Sequence, residues 1–427
     1  MNRSRSIRPA HRPLDATVLV PGSKSIANRA LICAALASGV SSLSGVPDGD
    51  DTTAMAAALA ALGADVRING ADAVVRGNGG RISPPAGVAL DCALAGTTSR
   101  FLTAVAALSE TPVLVDGGEP LRRRPMGPLH DALRALGADV EPCGDEGRLP
   151  VRVARGRLGG GEVELPGDVS SQFLTALMLI GPLLSGGLRV RLTTPLVSRP
   201  YVEITAAVMA SFGARDVVVG ASEVWVGPGA YRAVDYLVEP DASSASYPFA
   251  AAAICGGSVH VPALGTRSLQ GDTRFVDLLG EMGCDVERTT AGTTVRRDHE
   301  RPLLGLRIDM SDVSDLVPTV AALAPFCAQP TEISGVGFIR TKESNRIDDV
   351  VAELVHLGVD ATALPDGMAI RPSRPRAGVV QTHDDHRLAM SLALIGLMVP
   401  GVSVADPDVV AKSWPGYWAM LDAVVRA

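Results

Sequence analysis

Internal repetition is the feature of this chain that most restricts its fold. A helix-like segment, a glycine and a strand-like segment recur as MAAALAALGADV, LHDALRALGADV, ITAAVMASFGARDV, FVDLLGEMGCDV and VVAELVHLGVDA. The glycines lie 74, 76, 70 and 75 residues apart and are Gly63, Gly137, Gly213, Gly283 and Gly358. Such a regular period indicates that the chain consists of copies of one supersecondary unit.

A second series of segments, each with polar residues before an apolar helix-like run, alternates with the first. Its equivalent positions lie 73, 73, 73, 71 and 70 residues apart and are Lys24, Thr97, Ser170, Ser243, Ser314 and Asp384. The two series together predict six repeats of about 72 residues. Each repeat is predicted to contain a short strand, a polar turn, a helix apolar on nearly every side, more strand and a helix with one polar face.

The two helix types predict where each helix lies. A helix that is apolar all round is expected to be buried, whereas an amphipathic helix covers the outside. The glycine after each outer helix suits a C-cap, and the β-rich segment that follows suits a returning strand. Since six repeats are too many for one core, the 427 residues are predicted to form two similar α/β domains of three repeats each.

The domain boundaries follow from the ends of the repeat pattern. The sixth repeat lacks its trailing strand, while the residues before the first helix start have no repeat of their own, so we expect the N-terminal strand to complete the last repeat. Domain I is then 1–22 plus 241–427, and domain II is 23–240. The chain would cross between them near 21–23 and 239–241, and two adjacent crossings would form a hinge.

The composition is typical of a soluble globular protein, with 47% apolar and 20% charged residues. The longest apolar runs are shorter than the ~20 residues of a membrane span, or are broken by Gly and Pro. The charged segment MNRSRSIRPAHRPLDATVLV has no signal-peptide pattern. We therefore expect no membrane partner and a cytoplasmic location.

Neither nucleic acid nor a metal ion is expected as a partner. The net charge of −7 disfavours nucleic-acid binding. The six cysteines form no CxxC pair, and the histidines His383 and His386 lack a second cluster of ligands. Any anion site must therefore come from a local concentration of basic residues.

Cations at the predicted helix starts indicate such a site. Arg29, Arg100 and Arg387 lie in or beside first turns, where the helix dipole disfavours a cation by roughly 0.3–1 kcal/mol unless an anion is bound there. The alternative is that each arginine pairs with a nearby carboxylate such as Asp50, Asp51 or Asp385. Capping explains the Ser, Thr and Asp residues at these starts but not the cations.

Lysine is almost absent from the chain, which has three lysines and 36 arginines. Lys24, Lys342 and Lys412 are therefore expected to stand where a compact ammonium with an adjustable proton is needed, although chance retention on the surface is the alternative. Two carboxylates, Asp315 and Glu343, accompany these cations. Either could move a proton, or Asp315 could only cap a helix and Glu343 only pair with an arginine three residues on.

Ten motifs carry a resemblance that extends over nearly the whole chain. In order, they are PGSKSIANRA, LAGTTSRF, RRRPMGPLHDALRALGA, GDVSSQF, SRPYVEIT, DASSASY, DVSDLVPT, TKESNRI, DDHRLAM and AKSWPGYW. Together they resemble the 5-enolpyruvylshikimate-3-phosphate synthase family. The resemblance implies the enolpyruvyl transferase fold, an inside-out α/β barrel with two similar domains of three βαβαββ repeats each. Its buried helices would point their N-termini at the interdomain cleft.

The resemblance also implies a reaction and its partners. The family transfers the enolpyruvyl group of phosphoenolpyruvate to the 5-hydroxyl of shikimate 3-phosphate and releases phosphate, a step of aromatic amino acid biosynthesis. It implies these two small molecules as partners and neither a metal nor an organic cofactor. We expect a monomer, since six repeats can close their cores within one chain.

The resemblance carries site residues over by position. Those implied for shikimate 3-phosphate are Lys24, Ser25, Arg29, Ser170, Ser171, Gln172, Ser198, Tyr201, Asp315 and Lys342. Those implied for phosphoenolpyruvate are Lys24, Gly96, Thr97, Arg100, Arg124, Gln172, Arg346, Arg387 and Lys412. Those implied for catalysis are Lys24, Asp315, Glu343, Lys412 and His386. Asp315 is the candidate base for the hydroxyl with Lys24 assisting, and Glu343 is the candidate for proton transfer at the methyl carbon.

The chain departs from the family's pattern near Gly96. The common GNAGTAMRP is here ALAGTTSRF, with changes at Leu94, Thr98, Ser99 and Phe101. The family's inhibitor glyphosate binds beside this segment, so sensitivity to it stays open. Phe338 also replaces a residue that often contacts the site, and ESNR stands for the family's ETDR.

Three alternatives to this activity stay open. A sister enzyme transfers enolpyruvyl to a UDP-sugar, but it commonly uses a loop cysteine that GGEPLRRRPMGP lacks. A paralogue could act on another alcohol in a specialised pathway. A non-catalytic anion-binding protein is a third alternative, although Asp315, Glu343 and the lysines are all present.

Overall fold

The structure, a computed structural model, describes residues 4–426. The chain divides into two compact units, which we call the continuous unit, Gly22–Val238, and the discontinuous unit, Met1–Pro21 with Glu239–Ala427. The sequence-based boundaries differ from these limits by one or two residues. Each unit has a hydrophobic core of its own.

The first five repeats share one basic order of a buried helix, a strand, an outer helix and further strands, whereas in the described residues the sixth has no strand after its outer helix. Two strands of the discontinuous unit come first, β1 (Ser4–Ser6) and β2 (Leu14–Thr17). The helices of the continuous unit are α1 (Lys24–Leu36), α2 (Asp50–Ala61), α3 (Gly96–Ala106), α4 (Glu119–Arg122), α5 (Gly127–Ala135), α6 (Ser171–Ile180) and α7 (Arg199–Ser211). Its strands are β3 (Ser38–Ser44), β4 (Asp65–Asn69), β5 (Asp72–Asn78), β6 (Ala89–Asp91), β7 (Val113–Asp116), β8 (Asp139–Pro142), β9 (Val151–Ala154), β10 (Gly161–Leu165), β11 (Leu188–Leu192), β12 (Val217–Val219), β13 (Glu223–Val226) and β14 (Asp235–Leu237).

The remaining elements belong to the discontinuous unit. Its helices are α8 (Ala242–Cys255), α9 (Arg274–Glu281), α10 (Val317–Leu323), α11 (Asp348–His356), α12 (His386–Ala393) and α13 (Tyr417–Arg426). Its strands are β15 (Gly257–Pro262), β16 (Asp285–Arg288), β17 (Gly292–Arg297), β18 (Arg307–Asp309), β19 (Thr331–Ser334), β20 (Ala361–Leu364), β21 (Gly367–Ile370), β22 (Gly378–Val380) and β23 (Val402–Ala405). Short 3₁₀ helices in the described residues are Gly181–Leu183, Gly271–Thr273, Ser314–Leu316, Ala324–Phe326, Gly337–Thr341, Leu394–Leu397 and Pro407–Lys412.

Each unit contains three small mixed sheets. In the continuous unit the strand orders are β14-β3-β5-β4, β6-β7-β9-β8 and β10-β11-β13-β12. In each sheet the first pair is parallel and the other two are antiparallel. The discontinuous unit repeats this pattern in β2-β15-β17-β16 and β18-β19-β21-β20, and its third sheet is β22-β23-β1.

Strands β2 and β14 each precede a point where the chain passes from one unit to the other. Neither strand joins the sheet of the repeat that follows it in sequence. Strand β2 precedes α1 but pairs in parallel with β15 of the fourth repeat, Leu14 opposite Gly257. Strand β14 precedes α8 but pairs with β3 of the first repeat, Asp235 opposite Ser42. Strand β1 pairs antiparallel with β23 of the sixth repeat. The N-terminal segment therefore supplies strands to two sheets of the discontinuous unit.

The helices that follow the polar segments are buried, as their all-round apolar pattern predicts. Every residue of α8, α10 and α12 is buried, and α1, α3 and α6 are buried except at a few positions near their starts. Buried hydroxyls show how α8, α10 and α12 are aligned. Thr319 Oγ1 lies 3.3 Å from Ser246 Oγ and 3.2 Å from Ser391 Oγ, partners 73 and 72 residues away. Neighbouring buried helices therefore pack in parallel, with equivalent positions of the repeat in contact.

The predicted glycine caps are confirmed. All five glycines have left-handed backbone angles, with φ between +81° and +100°. At the end of α5, the Ala138 N–H donates to the Leu133 carbonyl at 3.0 Å and the Gly137 N–H to Arg134 at 2.9 Å. This Schellman pattern satisfies the last carbonyls of the helix and turns the chain into β8. No helix in residues 4–426 is long and apolar enough to cross a membrane.

Candidate functional site

The site residues expected from the sequence form two clusters, one in each unit. The continuous-unit cluster lies at the starts of α1, α3, α6 and α7 and consists of Lys24, Ser25, Arg29, Gly96, Thr97, Arg100, Arg124, Ser170, Ser171, Gln172, Ser198 and Tyr201. The discontinuous-unit cluster lies at the starts of α10 and α12, before α11 and before α13. It consists of Asp315, Lys342, Glu343, Arg346, His386, Arg387 and Lys412.

The Asp315 carboxylate is surrounded by three cations. Its Oδ1 accepts from Lys342 Nζ at 2.8 Å and from Arg346 Nη1 at 2.9 Å. Its Oδ2 accepts from Arg387 Nη2 at 2.8 Å. Asp315 and Arg387 lie 72 residues apart, so this contact joins equivalent helix starts of neighbouring repeats. Three cations therefore meet at one carboxylate, and Lys and Arg groups of this kind also bind carboxylate and phosphate ligands.

Arg346 is the most buried cation of this cluster, with 1% of its side chain exposed. Its Nε donates to Asp385 Oδ2 at 2.7 Å, and its Nη2 donates to Glu343 Oε2 at 2.8 Å. Asp385 is fully buried, caps α12 by accepting from the Arg387 N–H at 2.9 Å, and also accepts from Ser344 Oγ. One buried carboxylate therefore fixes the guanidinium of Arg346 and the first turn that carries Arg387.

The pKa values in this cluster follow from burial and charge. Burial alone raises the pKa of the Asp315 carboxyl, but the three cations outweigh it and hold that pKa well below its usual range. Burial lowers the pKa of Lys342 by more than the Asp315 charge raises it. Burial also lowers the pKa of Arg346, yet the carboxylates of Asp385, Glu343 and Asp315 reverse this and raise it. Asp315 is therefore ionised at neutral pH.

A second buried acid, Asp272, lies near this cluster. Burial, followed by the charge of Asp315, raises the pKa of Asp272 to about 6. Its carboxylate accepts a hydrogen bond from Ser243 Oγ, in the first turn of α8. The sequence motifs did not single out this acid, and only its partner Ser243 occupies a repeat-equivalent position.

The remaining expected residues of the discontinuous unit lie on neighbouring segments. Lys412 ends the 3₁₀ helix Pro407–Lys412, which packs against α12, and only 7% of it is exposed. His386 begins α12 and is 1% exposed, with its Nδ1 3.6 Å from Asp385 Oδ1. Phe338 places its ring centroid 5.8 Å from the Lys342 ammonium, a cation–π distance.

Lys24 begins α1 in the continuous unit and forms an ion pair with α2. Its Nζ lies 2.8 Å from Asp51 Oδ2, and the carboxylate side chain is only 4% exposed while the lysine is 17% exposed. Thr98 of α3 donates to the Asp51 carbonyl at 3.3 Å. The sequence analysis considered Asp51 only as a possible partner of an arginine in a first helical turn. In the structure its partner is Lys24.

Arg29 is buried and its hydrogen-bond partners are uncharged. Its Nε donates to Thr205 Oγ1 at 2.8 Å, and its other nitrogens donate to the carbonyls of Ser25 and Tyr201 at 2.6 and 3.1 Å. The guanidinium carbon lies 5.2 Å from the Phe101 ring centroid. Burial lowers the pKa of Arg29 to about 10, which leaves it charged at neutral pH. The positive charge thus has no carboxylate among these partners, which is the arrangement expected where an anionic ligand supplies one.

Arg100 and Arg124 occupy the start of α3. Arg100 Nη1 donates to Gln172 Oε1 of α6 at 2.6 Å, across 72 residues, and its guanidinium lies 5.1 Å from the Phe173 ring centroid. Arg124 lies against Gly96, the first residue of α3, at a distance where a β-carbon on Gly96 would overlap the guanidinium. Thr97 follows in the same first turn and is partly exposed. Gly96 therefore makes room for a cation at a helix N-terminus.

The serines of this cluster mark the starts of α6 and α7. Ser170 caps α6, its Oγ accepting from the Gln172 N–H at 3.3 Å, and Ser171 is the first helical residue. Ser198 precedes α7 in a left-handed conformation with φ of 55°, which is costly for a residue with a β-carbon. Tyr201 lies in the first turn of α7 and is partly exposed. Hydroxyls and N–H groups at such helix starts are suited to bind phosphate.

Metal-ligand geometry does not occur in the part of the chain that the structure describes, where no group of three or more His, Cys, Asp or Glu residues could hold a metal ion. The side chains of the two clusters are suited to charge stabilisation and proton transfer. Lys and Arg groups can neutralise carboxylate and phosphate, and Asp315 and Glu343 can accept protons.

Residues 9–421 match the family described as EPSP synthase (3-phosphoshikimate 1-carboxyvinyltransferase). The protein named 3-phosphoshikimate 1-carboxyvinyltransferase from Methanoculleus marisnigri is 41% identical over 410 residues, 96% of each chain. The protein of the same name from Nostoc punctiforme is 40% identical over 411 residues, again 96% of each chain. The pentafunctional AROM polypeptide of Komagataella phaffii is 40% identical over 96% of this chain and 28% of its own length.

A solved structure shows the same fold. The EPSP synthase from Acinetobacter baumannii superposes with a TM-score of 0.82 and 25% sequence identity. The superposition covers 99% of this chain and 98% of that one. This likeness confirms the predicted fold class.

Proposed function

Because the chain belongs to the EPSP synthase (3-phosphoshikimate 1-carboxyvinyltransferase) family of the shikimate pathway, we propose that it transfers the enolpyruvyl group of phosphoenolpyruvate to the 5-hydroxyl of shikimate 3-phosphate. The observation that carries this proposal is the Asp315 carboxylate with its three cations, Lys342, Arg346 and Arg387. It joins a group that can accept a proton to groups that can bind anions.

The cations match the charges of the two substrates. Each substrate has a carboxylate and a phosphate, so binding both requires several cationic groups. The cations proposed to bind phosphoenolpyruvate are Lys24, Arg100, Arg124, Arg346, Arg387 and Lys412. The Gly96 and Thr97 N–H groups and the Gln172 amide complete this set.

Shikimate 3-phosphate is bound by hydroxyls and helix starts. Ser170, Ser171 and Ser198 hold its phosphate, and Arg29 neutralises its carboxylate. Gln172 and Tyr201 contact its ring. Its hydroxyls and carboxylate are also contacted by four further residues, which are Lys24, Ser25, Asp315 and Lys342.

Asp315 acts as the base for the 5-hydroxyl. In the structure its pKa is held low by the surrounding cations, which makes it ionised but only weakly basic. When an anionic substrate binds Arg346 and Arg387, its negative charge partly neutralises these two arginines. Their effect on Asp315 then weakens, so the pKa of Asp315 rises and the carboxylate becomes more basic. Substrate binding thereby activates the carboxylate, and Lys24 assists the proton transfer.

Addition and elimination need opposite proton movements at the methyl carbon. As the 5-oxygen attacks C2 of phosphoenolpyruvate, C3 gains a proton, and it loses one again when phosphate leaves. Glu343 is the group for both transfers, because it pairs with Arg346 at 2.8 Å beside the proposed phosphoenolpyruvate site. Lys412 and His386 lie on neighbouring segments and help to stabilise the developing charge.

The reaction is tested by phosphate release from phosphoenolpyruvate in the presence of shikimate 3-phosphate. We expect release only when both substrates are present, with the enolpyruvyl ether as the second product. Omitting each substrate in turn provides the controls. Turnover on a UDP-sugar or another alcohol, without turnover on shikimate 3-phosphate, would contradict the proposal.

The cellular setting is also proposed. The six cysteines are all free thiols, five of them buried, which suits the reducing cytoplasm. Each unit closes its own core within this single chain, which favours a monomer. Light scattering at several protein concentrations would reveal a dimer.

A further inference from the structure

A strained turn precedes α12 in the discontinuous unit. His383 and Asp384 have left-handed backbone angles, with φ of 51° and 57°. Positive φ is uncommon for residues with a β-carbon, although His and Asp adopt it more often than most, so two such residues in succession are strained. Such a turn persists only where other contacts hold it. Asp385 follows the turn directly, and Arg387 of the discontinuous-unit cluster lies two residues further on.

Helix α11 supplies the contacts that hold the turn. Glu353, only 7% exposed, places its Oε1 2.9 Å from His383 Nε2. Its Oε2 accepts from the Gln381 N–H at 2.9 Å. Asp349, one turn earlier in α11, places its Oδ1 3.8 Å from His383 Nδ1. One buried carboxylate therefore binds both the backbone and the imidazole of the segment leading to α12.

The turn positions Asp385, which in turn contacts Arg346 and Arg387 of the discontinuous-unit cluster. The Asp385 N–H donates to the Thr382 carbonyl at 2.8 Å, which closes the turn. The Asp385 side chain then holds Arg346 Nε and the Arg387 N–H at 2.7 and 2.9 Å. A small displacement of the turn would therefore move the acceptor that orients Arg346.

The imidazole does not belong to the cluster itself. The His383 side chain is 31% exposed, and its two contacts are carboxylates of α11. A proton on Nε2 lets the ring donate to Glu353, and Nδ1 faces the more distant Asp349 carboxylate, which can only accept. The short contact of His383 with the buried Glu353 carboxylate therefore holds the turn in place, and the imidazole does not contact substrate.

We propose that His383 is a positioning residue: its imidazole, held by Glu353, fixes the left-handed turn that places Asp385, and so orients Arg346 and Arg387 toward an anionic substrate. This proposal rests on the proposed function in taking that anion to be phosphoenolpyruvate. Positioning of this kind matters because small misplacements of binding groups cost large factors in rate.

The test compares three variants at His383 with one variant at Glu353. His383→Ala removes the imidazole, His383→Gly removes it while relieving the backbone strain, and His383→Gln restores an N–H near the former Nε2. Glu353→Gln keeps the shape but alters the acceptor. His356→Ala, an exposed histidine at the end of the same helix, is the matched control.

Two measurements separate positioning from general stability. We expect His383→Ala and His383→Gly to raise KM for phosphoenolpyruvate about tenfold, with little change in KM for shikimate 3-phosphate. His383→Gln should recover part of the loss, and Glu353→Gln should follow the alanine variant. Hydrogen exchange of the Asp385 and Arg387 amides should quicken in the same variants, with or without substrate.

Specific outcomes would overturn the proposal. A normal KM for phosphoenolpyruvate in His383→Gly would show that only the backbone matters. A lower melting temperature with unchanged KM and unchanged amide exchange would show a purely structural role. If the wild-type protein does not turn over the two substrates, the proposed function fails, while the amide exchange still decides whether the imidazole holds the turn.

Discussion

Arg346 Nε donates to Asp385 Oδ2 at 2.7 Å, and neither side chain is more than 1% exposed. A buried pair of this kind differs from the many surface pairs of the protein. Removing one partner of a buried pair leaves an uncompensated charge in a medium that solvates it poorly. The pair joins the segment before α11 to the start of α12.

Asp385→Asn is expected to destabilise the fold by about 1–3 kcal/mol, the cost of an unsatisfied buried group, because Arg346 keeps the carboxylates of Asp315 and Glu343 as partners. Urea unfolding, followed by circular dichroism, measures this loss. The matched control is Asp360→Asn, whose partner Arg371 forms an exposed pair at 3.1 Å. Exposed pairs contribute roughly 0–1 kcal/mol, so the control should unfold almost as the wild type does. Equal effects of the two substitutions would contradict the assigned role of Asp385.

Glu343→Gln is expected to spare substrate binding and to slow turnover by about 10²–10⁴-fold, because the amide cannot exchange protons with the methyl carbon. Steady-state kinetics with both substrates, and equilibrium binding of each, separate the two effects. Glu332→Gln, in a surface pair with Arg307, is the control. Near-normal turnover of the Glu343 variant would remove this residue from the proton transfers.

Gly96→Ala is expected to weaken phosphoenolpyruvate binding, since the new methyl group would displace the Arg124 guanidinium. The end of an arginine side chain can shift, so the fold should persist while KM for phosphoenolpyruvate rises. Gly229→Ala, at an exposed position where a β-carbon meets no atom within 4 Å, is a surface control. An unchanged KM in the Gly96 variant would show that Arg124 does not serve this substrate.

His130 is expected to make the protein sensitive to acid. It is fully buried in α5, and neither ring nitrogen has a hydrogen-bond partner among residues 4–426. Burial, with the Arg134 charge, lowers its pKa from 6.5 to about 4. The unfolded chain thus binds this proton first as pH falls. The free energy of unfolding should therefore decrease from about pH 6.5 to about pH 4, by about 3 kcal/mol in total.

Unfolding of His130→Leu as a function of pH tests this prediction. The leucine variant fills a similar volume without a titrating group, so its stability should fall less over the same range. His299→Leu, an exposed histidine, should keep the wild-type pH dependence. If the free energy of unfolding of His130→Leu depended on pH as strongly as that of the wild type, other groups would be responsible for the acid sensitivity.

Local patterns in the sequence predicted much of the fold. The glycines after the outer helices adopt the expected left-handed angles, because the cap depends on a few adjacent residues. The burial of α8 follows from its all-round apolar composition. Two long-range contacts, Arg100 with Gln172 and Arg387 with Asp315, span 72 residues and so match the repeat period, although the sequence did not predict these pairings.

Other parts of the site could not be predicted. The sequence offered Asp51 only as a partner for an arginine, whereas it pairs with Lys24. The role of Asp385 as a shared acceptor for Arg346 and the first turn of α12 did not follow from its motif. Nor did the buried contact between Ser243 and Asp272. Each of these pairings depends on which faces of two packed helices meet.

The sequence by itself determined the repeats, their helices and caps, and the residue types that the site requires, because periodicity and capping act within a few residues. Tertiary structure alone decided which charges meet. Desolvation and distance set the strength of every ion pair, and both depend on packing between segments far apart in the chain. The low pKa of Asp315 and the strained turn at His383 are therefore properties of the fold and not of any motif.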